Sequence, residues 1–123
     1  MAAGSPFRIA LLVRSAPGRS RESRAEVDLA LASLAMDAEL DVFFIGDAIL
    51  QLAESIDSRA AGLPAGHKAW AALPDLGEAR IFAESRWVGR CERLGIELCM
   101  TVEPLGFARM KRDWRRCDQV LVV

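Results

Sequence analysis

The sequence of 123 residues contains no tyrosine, one histidine and only three cysteines. Cys91, Cys99 and Cys117 are an odd number and form no Cys-x-x-Cys pair, so their spacing fits neither a disulfide framework nor a zinc site. We therefore expect no bound metal and a structural or incidental role for all three cysteines. Cys91 and Cys99 fall among apolar residues and are expected to be small core side chains.

The loop after the first predicted strand lacks the motifs of nucleotide-binding folds. It holds a single glycine, Gly18, and therefore neither the G-x-G-x-x-G fingerprint nor a Walker A sequence. With no tyrosine in the chain, no such ring is present to stack on a flavin. Val13 and Arg14 stand where a phosphoacceptor domain would need acidic residues. We expect no cofactor.

Long apolar runs are also missing, and none approaches the roughly 20 residues that a helix needs to cross a bilayer. Arg8 interrupts the first apolar stretch, and no basic region precedes it, so we do not interpret this stretch as a signal peptide. The 16 basic and 17 acidic residues leave a net charge of −1. The sequence therefore predicts a cytoplasmic protein that binds neither a membrane nor, directly, a nucleic acid.

The sequence does have an alternation of short apolar runs with amphipathic segments. Apolar residues make up 52% of the chain and charged residues 27%, which suits a folded domain. We expect a short tail over residues 1–6 and one α/β domain over residues 7–123. The alternation predicts a flavodoxin-like three-layer domain, with about five mostly parallel strands in the order 2-1-3-4-5 and helices on both faces. The predicted strands are 7–13, 42–45, 80–83, 96–102 and 119–123, and the predicted helices are 24–38, 48–54, 86–94 and 104–116.

Residues 40–52, with the sequence LDVFFIGDAILQL, form the most informative stretch. A buried strand is followed by the Gly46-Asp47 turn and by apolar residues at helical spacing. In open α/β sheets, ligands and partners lie at the carboxyl ends of the strands. We therefore predict that Asp47 and Gln51 lie at the edge of an interface or a site.

The loop of residues 14–24 carries four arginines beside a predicted helix start, where Ser23 and Glu26 have the form of a capping box. Backbone N–H groups at a helix start and guanidinium groups can together bind an anion. Arg14, Ser15 and Arg19 are therefore candidate anion-binding residues, and a solvated basic loop is the alternative. The other long connection, residues 55–75, is the least patterned part of the chain and is expected to be functional or an interface element.

Several short motifs, in their order and spacing, resemble the DsrE/DsrF family of sulfur-relay proteins, and most closely the DsrF/TusC subunit type. One departure is Ala48, because a glycine is expected after the aspartate of the turn. The matching motifs are Ser15-Ala16-Pro17, Phe43-Phe44-Ile45, Asp47 with Gln51-Leu52, Val102-Glu103-Pro104-Leu105 and Cys117-Asp118-Gln119-Val120.

The resemblance implies a function for the chain. The sulfur-carrying DsrE/TusD type has a reactive cysteine just after the third strand, and the matching position here falls at or near Glu84. This implies a non-catalytic partner subunit, with Glu84 at the site edge, because a persulfide carrier needs a thiolate. The implied partners are DsrE/TusD-like and DsrH/TusB-like subunits, each present twice in a hetero-oligomer, or further copies of this chain if it stands alone. Such a complex passes persulfide sulfur to a DsrC/TusE-like acceptor, for tRNA wobble-uridine 2-thiolation or dissimilatory sulfur oxidation.

Two other hypotheses remain open. The chain could be a small flavodoxin-like domain that binds an anionic or phosphate ligand through the 14–24 loop. It could also be a sulfurtransferase that acts through Cys117. Arg115 and Arg116 would lower the pKa of that thiol, whereas Asp118 and a helix C-terminus would raise it.

Overall fold

The computed structural model describes residues 6–14, 21–54 and 66–123, except for the side chains of residues 21–24 and 66–68. Of the predicted tail, only Pro6 lies within the described residues. The strands are β1 (Arg8–Val13), β2 (Glu39–Phe44), β3 (Ala79–Glu84), β4 (Glu103–Leu105) and β5 (Gln119–Val122). The α-helices are α1 (Arg21–Ala35), α2 (Gly66–Leu76), α3 (Ser85–Arg93) and α4 (Phe107–Trp114), and a 3₁₀ helix spans Gly46–Leu52.

The five strands form one parallel sheet in the order β4-β3-β2-β1-β5. The predicted α/β domain with a parallel sheet is therefore confirmed, but the predicted strand order is wrong. The chain adds β2, β3 and β4 on one side of β1 and returns to place β5 on the other side. Apolar periodicity identifies strands without saying which of them are neighbours, and the right-handed crossover rule leaves more than one order open.

The strand order divides the helices unequally between the two faces of the sheet. Right-handed crossovers in one direction place α1, α2 and α3 on one face, and the return crossover places α4 on the other. Two hydrophobic clusters reflect this division. The larger contains Leu11, Val42, Phe44, Trp70 and Cys91, and the smaller contains Ala10, Leu12, Phe43, Phe82 and Met110.

The fourth strand does not lie where the sequence predicted it. Residues 96–102 were expected to be a strand, yet this segment makes only the isolated antiparallel bridge of Ala53 with Leu98. Strand β4 is shorter and contains Pro104, which was expected in the first turn of the last helix. Proline has no N–H to donate to a sheet, and β4 tolerates it because β4 is an edge strand.

The connection between β2 and β3 also differs from the prediction. A 3₁₀ helix stands where an α-helix over residues 48–54 was expected, and α2 is longer than the turn expected near residues 69–73. Helix α2 contains Pro74, and a proline at this position in the sequence argues against predicting a helix there. The fully buried Trp70 and Leu73 provide the tertiary packing that outweighs this local preference.

Candidate functional site

The carboxyl ends of β2 and β3 are joined by a side chain. The chain turns at Gly46 with a positive φ of 61°, and the Gly46 N–H donates a hydrogen bond to Oε2 of Glu84. Glu84 is the last residue of β3 and the N-cap residue of α3, but it makes no side-chain cap bond to its own helix. The half-buried carboxylate therefore ties two strand ends together at the edge of the sheet where partners of α/β domains bind.

Two other predicted residues lie at the same end of the sheet as this pair. Asp47 follows Gly46 in the 3₁₀ helix and is exposed, and Arg14 is exposed directly after β1. Asp47 thus lies just beyond the carboxyl end of β2 with its side chain exposed, and its role at an interface stays a prediction. Ser15 and Arg19, the other candidate anion-binding residues, lie outside the described residues, as does most of the 14–24 loop.

Gln51 lies in the interior rather than at the surface edge, with 7% of its area exposed. Its Nε2 donates to Oε2 of Glu26 at 3.0 Å, and its Oε1 accepts from Nε1 of Trp70 at 3.1 Å. This chain of hydrogen bonds joins α1, the 3₁₀ helix and α2. Gln51 therefore holds in place the 3₁₀ helix that contains Asp47.

The capping-box prediction for Ser23 and Glu26 is wrong. Helix α1 already begins at Arg21, so Ser23 lies inside it, and the Glu26 side chain turns into the core. Glu26 is 1% exposed, and its Oε1 has no hydrogen-bond partner within the described parts of the chain. The sequence offered one signal that was missed, because Glu26 stands four residues before Ala30 and therefore shares a face with the apolar stripe of the helix.

None of the three cysteines stands directly after β3, and all three are free thiols. Cys91 is a buried core residue of α3, as predicted, and burial raises its pKa. Cys99 is half-buried in the loop before β4 rather than in a strand, and burial together with the charge of Glu54 raises its pKa. These two thiols are therefore protonated at neutral pH.

Cys117 lies at the opposite end of the sheet from Glu84, just before β5. Its Sγ lies 3.9 Å from Oδ2 of Asp41 and 3.8 Å from the carbonyl oxygen of Asp113, and its single S–H can donate a hydrogen bond to either one. Burial, followed by the negative charge of Asp41, raises the pKa of Cys117 to about 11. Arg8 and Arg80 act in the opposite direction without reversing the shift.

The described residues contain no group of three or more histidine, cysteine or acidic side chains placed to hold a metal ion. Within the same parts of the chain, no helix is long and apolar enough to cross a membrane.

The sequence matches the DsrE/DsrF-like family over residues 8–123. The chain therefore belongs to the DsrE/DsrF-like family. Among solved structures it is similar to the ychN protein from E. coli, with a TM-score of 0.76 and 15% sequence identity over 95% of this chain and 99% of the other. This likeness shows the shared fold. The comparison with curated proteins gave no match.

Proposed function

We propose that this chain is a non-catalytic partner subunit of a sulfur-relay complex, of the DsrF/TusC type. In this proposal, the DsrE/TusD-like subunit carries the persulfide, and a DsrH/TusB-like subunit completes the assembly. A DsrC/TusE-like protein accepts the sulfur, for tRNA wobble-uridine 2-thiolation or for dissimilatory sulfur oxidation. Membership of the DsrE/DsrF-like family supports the sulfur chemistry, and the residues of the carboxyl edge support the accessory role.

The observation that carries the proposal is the carboxylate of Glu84 at the end of β3. A carrier of persulfide sulfur needs a thiolate, and a site before a helix N-terminus is one where a cysteine would have a lowered pKa. Here the carboxylate occupies that position and accepts the Gly46 N–H instead. Glu84 can hold the strand ends in place but cannot accept a sulfur atom.

The three cysteines support the same conclusion, because each has a raised pKa. Attack on a persulfide requires the thiolate, so a protonated thiol reacts slowly at neutral pH. The alternative of a Cys117 sulfurtransferase is disfavoured most strongly, because the pKa of Cys117 is about 11. The arginines that lower this pKa are Arg8 and Arg80, and burial together with Asp41 outweighs them.

Sulfur loading tests the accessory role. The native chain is incubated with inorganic polysulfide at neutral pH and examined by intact-mass spectrometry, and we expect no added sulfur. Glu84→Cys should gain one sulfur atom, since its thiol would stand at the start of α3. Glu78→Cys is the matched control, because Glu78 is exposed just before β3 and far from a helix start. A persulfide on Cys117 of the unmodified chain would contradict the accessory role.

Partner recovery tests the complex itself. The tagged chain is purified gently from its own host and analysed by native mass spectrometry, and we expect two other chains of similar size. Asp47→Arg should reduce their recovery, since Asp47 is exposed at the proposed contact edge. Asp75→Arg makes the same charge change at the exposed end of α2 and should leave recovery unchanged. Recovery of a lone monomer or homo-oligomer would overturn the hetero-oligomer proposal.

A further inference from the structure

A groove of about 510 Å³ lies at the amino ends of the strands, on the face that α4 covers. It is therefore at the opposite end of β3 from Glu84 and is separate from the edge described above. Its volume falls within the range of small-molecule sites. The floor consists of Arg8, Asp41 and Arg80 from the first three strands, and the wall consists of Arg109, Asp113 and Arg116 from the last helix and the turn after it.

The floor of the groove is held in place by Asp41, whose side chain is 4% exposed. Its two carboxylate oxygens accept hydrogen bonds from Nε and Nη2 of Arg80, each at 2.9 Å. Arg8 approaches the same carboxylate at 3.4 Å and pairs also with Glu39. Paired guanidinium groups of this kind have fixed directions, so Arg8 and Arg80 are positioned before any ligand arrives.

The wall supplies positive charge that the groove itself does not neutralise. Arg109, Asp113 and Arg116 follow one another at helical spacing and share a face. Arg109 lies 3.8 Å from Asp113, and Arg116 has no ion-pair partner among the described residues. Four arginines against three carboxylates, with Glu39 included, leave the lining of the groove one net positive charge, and Glu103 acts on Arg80 from outside this lining.

We propose that this groove binds a small molecule that carries a tetrahedral oxyanion, held between Arg109 and Arg116 on the wall and Arg80 on the floor. Guanidinium groups suit this class of ligand because their N–H donors match the geometry of two oxygens of a phosphate or a sulfur oxyanion. The proposal rests on the groove alone, so it stands or fails independently of the accessory role in sulfur relay.

Isothermal titration calorimetry on the full chain tests the proposal with three probes at constant ionic strength: sodium phosphate, sodium sulfate and sodium thiosulfate. We expect saturable binding of at least one of them at a single site. Tighter binding of phosphate would point to a phosphorylated ligand, and tighter binding of sulfate or thiosulfate would point to a sulfur oxyanion. The absence of saturable binding for all three probes would overturn the proposal.

Matched variants distinguish binding in this groove from a general attraction of anions to the basic surface of α4. Arg116→Gln and Arg109→Gln should each weaken binding about tenfold, because each removes a charge-assisted contact. Arg112→Gln and Arg115→Gln remove the same charge from exposed neighbours that do not line the groove, and they should bind as the native chain does. An equal loss in all four variants would show attraction by net charge and would also overturn the proposal.

Discussion

The indole N–H of Trp70 donates a hydrogen bond to the side-chain oxygen of Gln51, 3.1 Å away, in the interior of the domain. Gln51 in turn donates to Glu26, so one amide satisfies a donor on α2 and an acceptor on α1. Both partners are fully buried. This amide fixes the 3₁₀ helix, and with it the exposed Asp47, against the rest of the larger core.

Gln51→Leu should lower the free energy of unfolding by about 2–4 kcal/mol, because it leaves the Trp70 N–H and the Glu26 carboxylate buried without this partner. Urea denaturation measures the difference. Gln119→Leu is the control, since Gln119 is exposed on β5 and its loss should change stability by less than about 0.5 kcal/mol. Equal urea midpoints for Gln51→Leu and the native chain would contradict a stabilising role for the amide.

Met110→Ala should destabilise the domain by about 2–5 kcal/mol, because Met110 is fully buried in the smaller core beneath α4. The same substitution at Met36, which is 80% exposed, should change the free energy of unfolding by less than about 0.5 kcal/mol. Thermal or urea unfolding of the two variants gives the comparison. A similar loss in both would mean that α4 does not pack on the sheet as described.

Gly46→Ala should cost about 1–2 kcal/mol, because its φ of 61° is unfavourable for any residue with a Cβ. No atom lies within 4 Å of the position of that Cβ, so the cost would come from the backbone and not from a clash. Gly106→Ala serves as the matched variant, because its space is equally open and its φ is −66°. We expect a change near zero there, and equal losses at both positions would refute the explanation.

The stability of the native chain should fall above about pH 8.5, the value at which an unfolded cysteine loses its proton. Folded Cys117 keeps its proton up to a pKa of about 11, so the unfolded state binds fewer protons in between. The free energy of unfolding then decreases as pH rises through this window, and the contribution of Cys117 is fully present below it.

Urea midpoints measured between about pH 8 and about pH 11 test this dependence. In Cys117→Ala, the free energy of unfolding should decrease less with rising pH than it does in the native chain. In Cys91→Ala, the part of this decrease that Cys117 contributes should remain. The comparison uses the change with pH and not the absolute stability, because either substitution also removes packing. Identical pH dependence in Cys117→Ala and the native chain would contradict the raised pKa.

Local patterns were sufficient where a residue's environment depends on its near neighbours. Strands β1, β2, β3 and β5 were predicted close to their observed positions. The sequence pattern indicated β1 and β2 because a strand that is buried on both faces is a short run of apolar residues. The helix predicted over residues 86–94 also lies close to the observed α3. Gly95 ends α3 with a φ of 68°, and the N–H groups of Gly95 and Ile96 donate to the carbonyl oxygens of Glu92 and Cys91. Glu84 was placed correctly at a strand end, because that boundary is local.

The candidate site was less predictable, because its contacts join distant parts of the chain. Glu26 and Trp70 meet Gln51 across separations of 25 and 19 residues, and no periodicity of a single segment indicates such a meeting. The pKa of Cys117 illustrates the same limit. Adjacent arginines dominate its surroundings in the sequence, whereas Asp41 approaches it across 76 residues in the fold.

The sequence by itself determined the class of domain, the positions of most of its elements and the lack of a thiol directly after the third strand, since each follows from local composition and spacing. Only the tertiary structure decided the strand order, and with it the placement of α4 on the opposite face of the sheet from α1, α2 and α3. That order brings Arg8, Asp41 and Arg80 side by side on neighbouring strands and sets the charged end of α4 above them. The physical reason is that strand pairing and burial are interactions between distant segments, whose energies depend on the assembled core and not on any one stretch of chain.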